Sequence, residues 1–149
     1  MEQTRKQLKT SSFMVLLFAG ISLLRIIAAL LFGELNSAQI PAGSPENILL
    51  ITKMILLAVS LLLLLPKFYV GLKGLRIAKN PDASGKHIIW AMIIFIFTVL
   101  EFIDPLGNIF KEGNIMDNAA AISGILLEVL IYYEYIKYAR KLREYENAG

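Results

Sequence analysis

Four long apolar runs, separated by short polar segments, dominate the hydropathy pattern of the chain. They cover residues 13–32, 46–66, 87–104 and 118–138. Each is close to the ~20 residues that a helix needs to cross the ~30 Å hydrocarbon core of a bilayer. The pattern therefore predicts one all-α transmembrane domain with four spans. Four spans joined by short loops predict two antiparallel hairpins, most simply a four-helix bundle.

The second run has recognisable ends. Ser44 is suited to cap a helix, and Pro45 and Glu46 suit its first turn. Pro66 either kinks this helix or ends it, because proline removes one backbone hydrogen bond. The mixture of apolar and basic residues after Pro66 resembles a helix that leaves the bilayer through its interface. We therefore expect a helical extension to about Lys79.

Composition supports a membrane protein and excludes some chemistry. The chain has 149 residues, of which 56% are hydrophobic and 18% charged, and its mean hydropathy is +0.61. This is more apolar than an average soluble domain. The absence of cysteine excludes disulfides, thiolate metal sites and thiol catalysis. The net charge of +3 comes with basic residues beside the spans, which indicates membrane topology rather than nucleic-acid binding.

The basic residues flank the spans unevenly. Twelve of them precede the first span, lie between the second and third, or follow the fourth, whereas the other two loops contain only Lys111. The positive-inside rule then predicts that both termini and the middle loop are cytoplasmic. The protein is accordingly predicted to be a multi-pass protein of the cytoplasmic membrane. Tyrosines at the far end of the fourth span predict an aromatic belt at the membrane interface: Tyr132, Tyr133, Tyr135 and Tyr138.

Five charged residues lie within the spans or at their ends. The bases Arg25 and Lys53 belong to the first hairpin, and the acids Glu101, Asp104 and Glu128 belong to the second. All five fall in the outer half of the predicted bilayer. An isolated charge at the bilayer centre costs at least ~2.5–3.5 kcal/mol, so these side chains should face protein or water. We therefore expect a polar seam between the hairpins. The seam is either a structural lock or a site for a small zwitterionic or anionic solute.

Small residues mark two helix faces. Ala28 and Ala29 lie on the first span, and Ala120 and Gly124 lie on the fourth. Small side chains allow close approach of helices in a membrane, so these positions are candidate packing surfaces.

No motif indicates an enzyme. The chain has neither H-E-x-x-H nor G-x-S-x-G, and its one histidine, His87, has no histidine partner. No cofactor or metal site is predicted, because the bases near the three acids disfavour a bound cation.

The leading hypothesis is a membrane protein that acts by helix association, as a homo-oligomer or as an accessory subunit of a membrane complex. The alternative is a small-solute or ion transporter or binding protein, and a weaker one is a lipid-active membrane enzyme.

Overall fold

The computed structural model describes residues 1–32, 46–80, 85–103, 105–107 and 115–148. These ranges contain four long helices and no strand: α1 (Glu2–Phe32), α2 (Glu46–Lys79), α3 (Lys86–Leu100) and α4 (Ile115–Asn147). Ser44, Pro45 and Asp104 lie outside the described residues.

Each of the four helices belongs to a stretch that is long and apolar enough to cross a bilayer. The stretches are Glu2–Leu30, Leu50–Lys79, Lys86–Gly107 and Asn118–Asn147. The prediction of an all-helical chain with four candidate membrane spans is therefore confirmed.

Three helices are longer than a bilayer is thick. α1, α2 and α4 have 31, 34 and 33 residues, or about 47–51 Å at a rise of 1.5 Å per residue. The extra turns of α1 precede its apolar run, because Thr4, Leu8, Ser11 and Ser12 are buried against neighbouring helices. The helix consequently begins at Glu2 and not at the apolar boundary.

Pro66 lies inside α2, which continues to Lys79 as expected. Just beyond the proline, α2 packs very closely against α1. A Cβ atom at Gly71 would lie 2.6 Å from the side chain of Leu16, and one at Gly74 would overlap the Ser12 hydroxyl. The absence of a side chain at both glycines is what allows this approach, as is common between membrane helices.

The helices form a bundle in which α1 contacts α2 and α4, and α3 contacts α4 and α2. α2 and α4 meet across its centre, where the Tyr135 hydroxyl donates a hydrogen bond of 3.0 Å to the Val70 carbonyl. The His87 ring packs edge-on against Tyr135, with 6.1 Å between ring centroids. α3 therefore shares this central tyrosine with the other helices.

The predicted tyrosine belt is wrong for two of its four members. Tyr132 and Tyr135 are fully buried, whereas Tyr133 is 56% exposed. For Tyr135 the physical reason is the space that Gly74 leaves on α2, because its missing side chain admits the Tyr135 ring. The far end of the fourth apolar run is therefore part of the core.

Burial divides the bundle along its length. All side chains that are buried among the described residues lie in what we call the closed half, which comprises residues 2–19, 64–79, 86–98 and 129–147. The remaining helical residues form the open half: 20–32, 46–63, 99–107 and 115–128. Among the side chains that the structure describes there, none is buried. The border between the halves is where the candidate site lies.

Candidate functional site

An ion pair joins α2 to α4 at the border between the two halves. The Lys67 ammonium donates a hydrogen bond of 2.6 Å to a Glu128 carboxylate oxygen, and the two side chains are only 16% and 12% exposed. Such a short, charge-assisted bond is among the stronger polar interactions in proteins. The pair neutralises an acid that lies within the apolar part of α4.

A second acid, Glu101, lies close to this pair. It terminates α3, and its backbone N–H donates to the Phe97 carbonyl at 3.0 Å. The negative end of a helix dipole disfavours a carboxylate, so Glu101 requires a positive charge nearby. Among the described residues, Lys67, Glu128 and Arg25 are the charged groups within its electrostatic range.

One charged residue from each helix thus contributes to a single cluster. We call Arg25, Lys67, Glu101 and Glu128 the four-charge cluster. It contains two bases and two acids, so its formal charge is zero. Within the described part of the chain, Arg25 and Glu101 make no ion pair, and both side chains are exposed. Two opposite charges therefore stay available beside a pair that is already neutralised.

A groove with a volume of about 840 Å³ opens beside the cluster, between α2 and α3 and next to α1. Its size lies within the range of ~300–1,000 Å³ that is typical of small-molecule sites. Leucine, isoleucine and aromatic side chains form most of its wall. Its polar and charged lining includes Ser22, Ser60, Lys67, Tyr69, Thr98 and Glu101. This combination suits a ligand with an apolar body and a charged head.

The Tyr132 hydroxyl adds an uncharged polar group near the cluster. The tyrosine is completely buried, and its hydroxyl has no hydrogen-bond partner among the described residues. Glu128 and Glu101 are both within its electrostatic range. Buried hydroxyls are nearly always hydrogen-bonded, so this group is an exception within the core, and it does not line the groove.

The structure brings together three of the five residues predicted for the polar seam: Arg25, Glu101 and Glu128. Lys53 lies 14 positions before Lys67, or about 21 Å along α2, and it forms no ion pair with a described acid. Asp104 is outside the described residues. The described ion pair uses Lys67 instead, which again links the first hairpin to the second.

Lys67 was left out of the predicted seam because it follows the apolar run, in the helical extension that was expected to leave the bilayer through its interface. Its spacing carries the missing signal. Leu64, Gly71, Gly74 and Ala78 of α2 are all buried, and with Lys67 they follow one another at three- and four-residue intervals. Such spacing describes one face of a helix, so Lys67 belongs to the face that α2 turns toward the bundle.

The predicted small-residue faces differ in their surroundings. Ala28 and Ala29 are half-buried, whereas Ala120 and Gly124 are exposed. No described atom lies within 4 Å of a Cβ built at Gly124. A role for Ala120 and Gly124 as a contact surface would therefore concern another molecule, and it stays a prediction.

The described residues contain no group of three or more histidine, aspartate or glutamate side chains that could hold a metal ion. Comparison of the chain with protein-family models, with curated proteins and with solved structures finds no match. Its function is therefore inferred from the chemistry of its own side chains.

Proposed function

We propose that the protein is a multi-pass protein of the cytoplasmic membrane that binds a small zwitterionic solute in the groove, as a transporter or as the binding component of one. The observation that supports this most directly is the convergence of one charged residue from each helix beside a groove of about 840 Å³. A purely structural lock would require one base and one acid. The cluster has a second base and a second acid that do not pair with each other.

The charges of the cluster define the class of solute. Lys67 and Glu128 neutralise each other at 2.6 Å, which leaves Glu101 and Arg25 for a ligand. An ammonium group of the solute would lie against Glu101, and its carboxylate would lie toward Arg25. These attractions are stronger than in water, because the effective dielectric constant of a membrane protein is far below that of water. The leucine-rich wall would contact the apolar part of the solute.

The proposed orientation places both termini in the cytoplasm and the open half toward the outside. The asymmetry of the basic residues supports it, since the closed half contains eleven of them besides Lys67. A solute would then reach the cluster from the outer face, and the closed half would separate it from the cytoplasm.

Water access to the groove provides the first test. The chain has no cysteine, so a single introduced thiol is a unique reporter. In intact membranes, we expect Ser60→Cys on the groove wall to react with a membrane-impermeant thiol reagent. Ser123→Cys is the matched control, because Ser123 is on an exposed face of α4 outside the groove. If the thiols of Ser60→Cys and Ser123→Cys were equally unreactive toward the reagent, the result would contradict the proposal.

Ligand binding provides the second test. Purified protein would be screened by thermal shift and native mass spectrometry with free amino acids and quaternary-ammonium carboxylates. Glu101→Gln should remove any stabilisation by these solutes, because it deletes the charge that attracts the ammonium group. Lys53→Gln should retain the stabilisation, since Lys53 is about 21 Å from Lys67 along α2. If no zwitterion stabilises the wild-type protein, the proposed solute class is wrong.

Helix association is the second candidate function, as a homo-oligomer or as an accessory subunit of a membrane complex. The exposed small residues Ala120 and Gly124 favour it, because small side chains allow close helix contacts in lipid. Gly124→Ile should shift an oligomer toward monomer in native mass spectrometry. Gly20→Ile is the control, because no described atom lies within 4 Å of a Cβ at either glycine. Equal effects of the two substitutions would count against a specific surface on α4.

A further inference from the structure

A second groove, with a volume of about 680 Å³, lies at the far end of the closed half, between the first turns of α1 and the last turns of α2. Its wall contains Lys6, Lys9, Arg76 and Lys79, together with Phe13 and Leu75. None of the described residues that line it is acidic. The proposed solute site does not include any of these residues.

Close helix packing forces these four bases together. Gly74 lets α2 approach the Ser12 region of α1, and the two basic pairs lie next to that contact. Like charges held in one groove repel each other. A bound anion would offset this repulsion, because it attracts each of the bases. The groove is thus electrostatically suited to an anionic group.

The helix dipoles explain only half of the basic residues. Arg76 and Lys79 occupy the last turn of α2, where positive charge is favourable. Lys6 and Lys9 lie near the start of α1, toward its positive end, where basic residues bring no such benefit. The α1 pair is therefore not stabilised by its own helix dipole, and a bound anion would supply the missing attraction.

The apolar residues of the groove indicate which kind of anion binds. Phe13 is 58% exposed, and it is the first residue of the first apolar run, so it lies where headgroups give way to acyl chains. A free phosphate ion gains nothing from Phe13 and Leu75. A phospholipid uses both parts of the groove, with its phosphodiester against the bases and an acyl chain along the apolar side chains.

We propose that this groove is a binding site for the headgroup of an anionic phospholipid. The site would hold the closed half in the charged surface layer of the bilayer. It is independent of the solute proposal, because it rests on different residues at a different position along the bundle.

The test uses the full-length protein, delipidated in a non-ionic detergent and titrated in native mass spectrometry. The probes are phosphatidylglycerol and phosphatidylcholine with identical acyl chains. Lys9→Gln/Arg76→Gln should weaken phosphatidylglycerol binding about tenfold or more, since each base near a lipid surface contributes substantially to anion attraction. Lys137→Gln/Lys141→Gln removes the same charge from exposed positions on α4, and it should change binding less than about twofold.

Three results would overturn the proposal: equal effects of the two double variants, no preference for phosphatidylglycerol in the wild-type protein, or displacement of the lipid by inorganic phosphate. Phe13→Ala separates the lipid from a free anion, because it should weaken phosphatidylglycerol binding while leaving all four bases in place. Wild-type affinity in Phe13→Ala would contradict a lipid ligand. Thermal unfolding checks that each variant is folded. If Lys9→Gln/Arg76→Gln is not folded, Lys6→Gln/Lys79→Gln takes its place.

Discussion

The closed and open halves of the bundle are built from the same four apolar helices, yet only the closed half packs tightly. Small residues at the helix contacts account for the difference. Gly71 and Gly74 leave space for α1, and Gly74 also for the Tyr135 ring. Three alanines are buried and at most 3% exposed: Ala19, Ala91 and Ala139. In the open half, α2 exposes the large side chains Leu61, Leu62 and Leu63. Lipid tails are as apolar as leucine, so close packing in a membrane depends on shape and not on hydropathy.

Polar groups show the same contrast. In the closed half, hydroxyl groups bond to backbone carbonyls, as Ser12 does to Leu8 at 2.6 Å and Thr98 does to Ile94 at 3.0 Å. Toward the open half, Arg25 and Glu101 form no ion pair with any described residue. The two hydroxyls of the closed half thus have partners within their own helix, whereas Arg25 and Glu101 are available to an external molecule.

The largest expected effect comes from removing one partner of the ion pair at the border. Lys67→Met would leave the Glu128 carboxylate uncompensated, and breaking a buried pair in this way costs about 3–5 kcal/mol, with the lower end expected for a partly exposed pair. Thermal unfolding of the detergent-solubilised protein would measure the loss. The double variant Lys67→Met/Glu128→Gln should recover most of it.

Lys53→Met is the control for this prediction, since Lys53 forms no ion pair with a described acid. It should unfold at nearly the wild-type temperature. If Lys53→Met and Lys67→Met were equally destabilising, the border pair would not be the element that joins the two hairpins.

A smaller effect, about 1–3 kcal/mol from overpacking, is expected for Gly74→Ala in the closed half. The new methyl group would overlap the Ser12 hydroxyl and lie 2.5 Å from the Tyr135 ring. Gly124→Ala in the open half has open space around it and gains helix propensity, so it should be neutral or slightly stabilising. Unfolding temperatures of the two variants measure the packing difference between the halves directly. Similar temperatures would show that α1 and α2 are less closely packed.

Hydropathy was sufficient to predict the four membrane helices, because the spans are apolar all round and longer than a soluble helix requires. The same property hides which face of each span is buried. A leucine that contacts lipid and one that contacts a neighbouring helix satisfy the same pattern. Tyr132 and Tyr135 illustrate the limit, since their position at the end of a span indicated the interface, whereas both are buried in the core, Tyr135 against Gly74.

The candidate site was partly predictable for a related reason. Charges within an apolar run stand out, so Arg25, Glu101 and Glu128 were found directly. Lys67 was counted with the basic residues of the interfacial extension after Pro66, and its contact with Glu128 is what places it in the bundle. Recognising it required the three- and four-residue spacing of the small residues that follow it.

The smallest of the three effects is expected for Tyr135→Phe, which deletes the hydrogen bond to the Val70 carbonyl without changing the packing of the ring. Such a bond contributes about 0.5–1.5 kcal/mol. Tyr133→Phe is the control, because Tyr133 is 56% exposed. A difference in unfolding temperature between the variants would assign a stabilising role to the contact across the bundle centre. Identical temperatures would leave ring packing as the sole contribution of Tyr135.

Pro66 stands where the two halves meet, and it lines the groove together with Leu62. Proline has no N–H to donate to the carbonyl four residues earlier, so the backbone oxygen of Leu62 lacks its usual helical bond. An α-helix resists bending through these bonds, and α2 has one fewer at this level. α2 is therefore easier to bend beside the groove than along its glycine-packed end. Bending at this level would change the width of the groove.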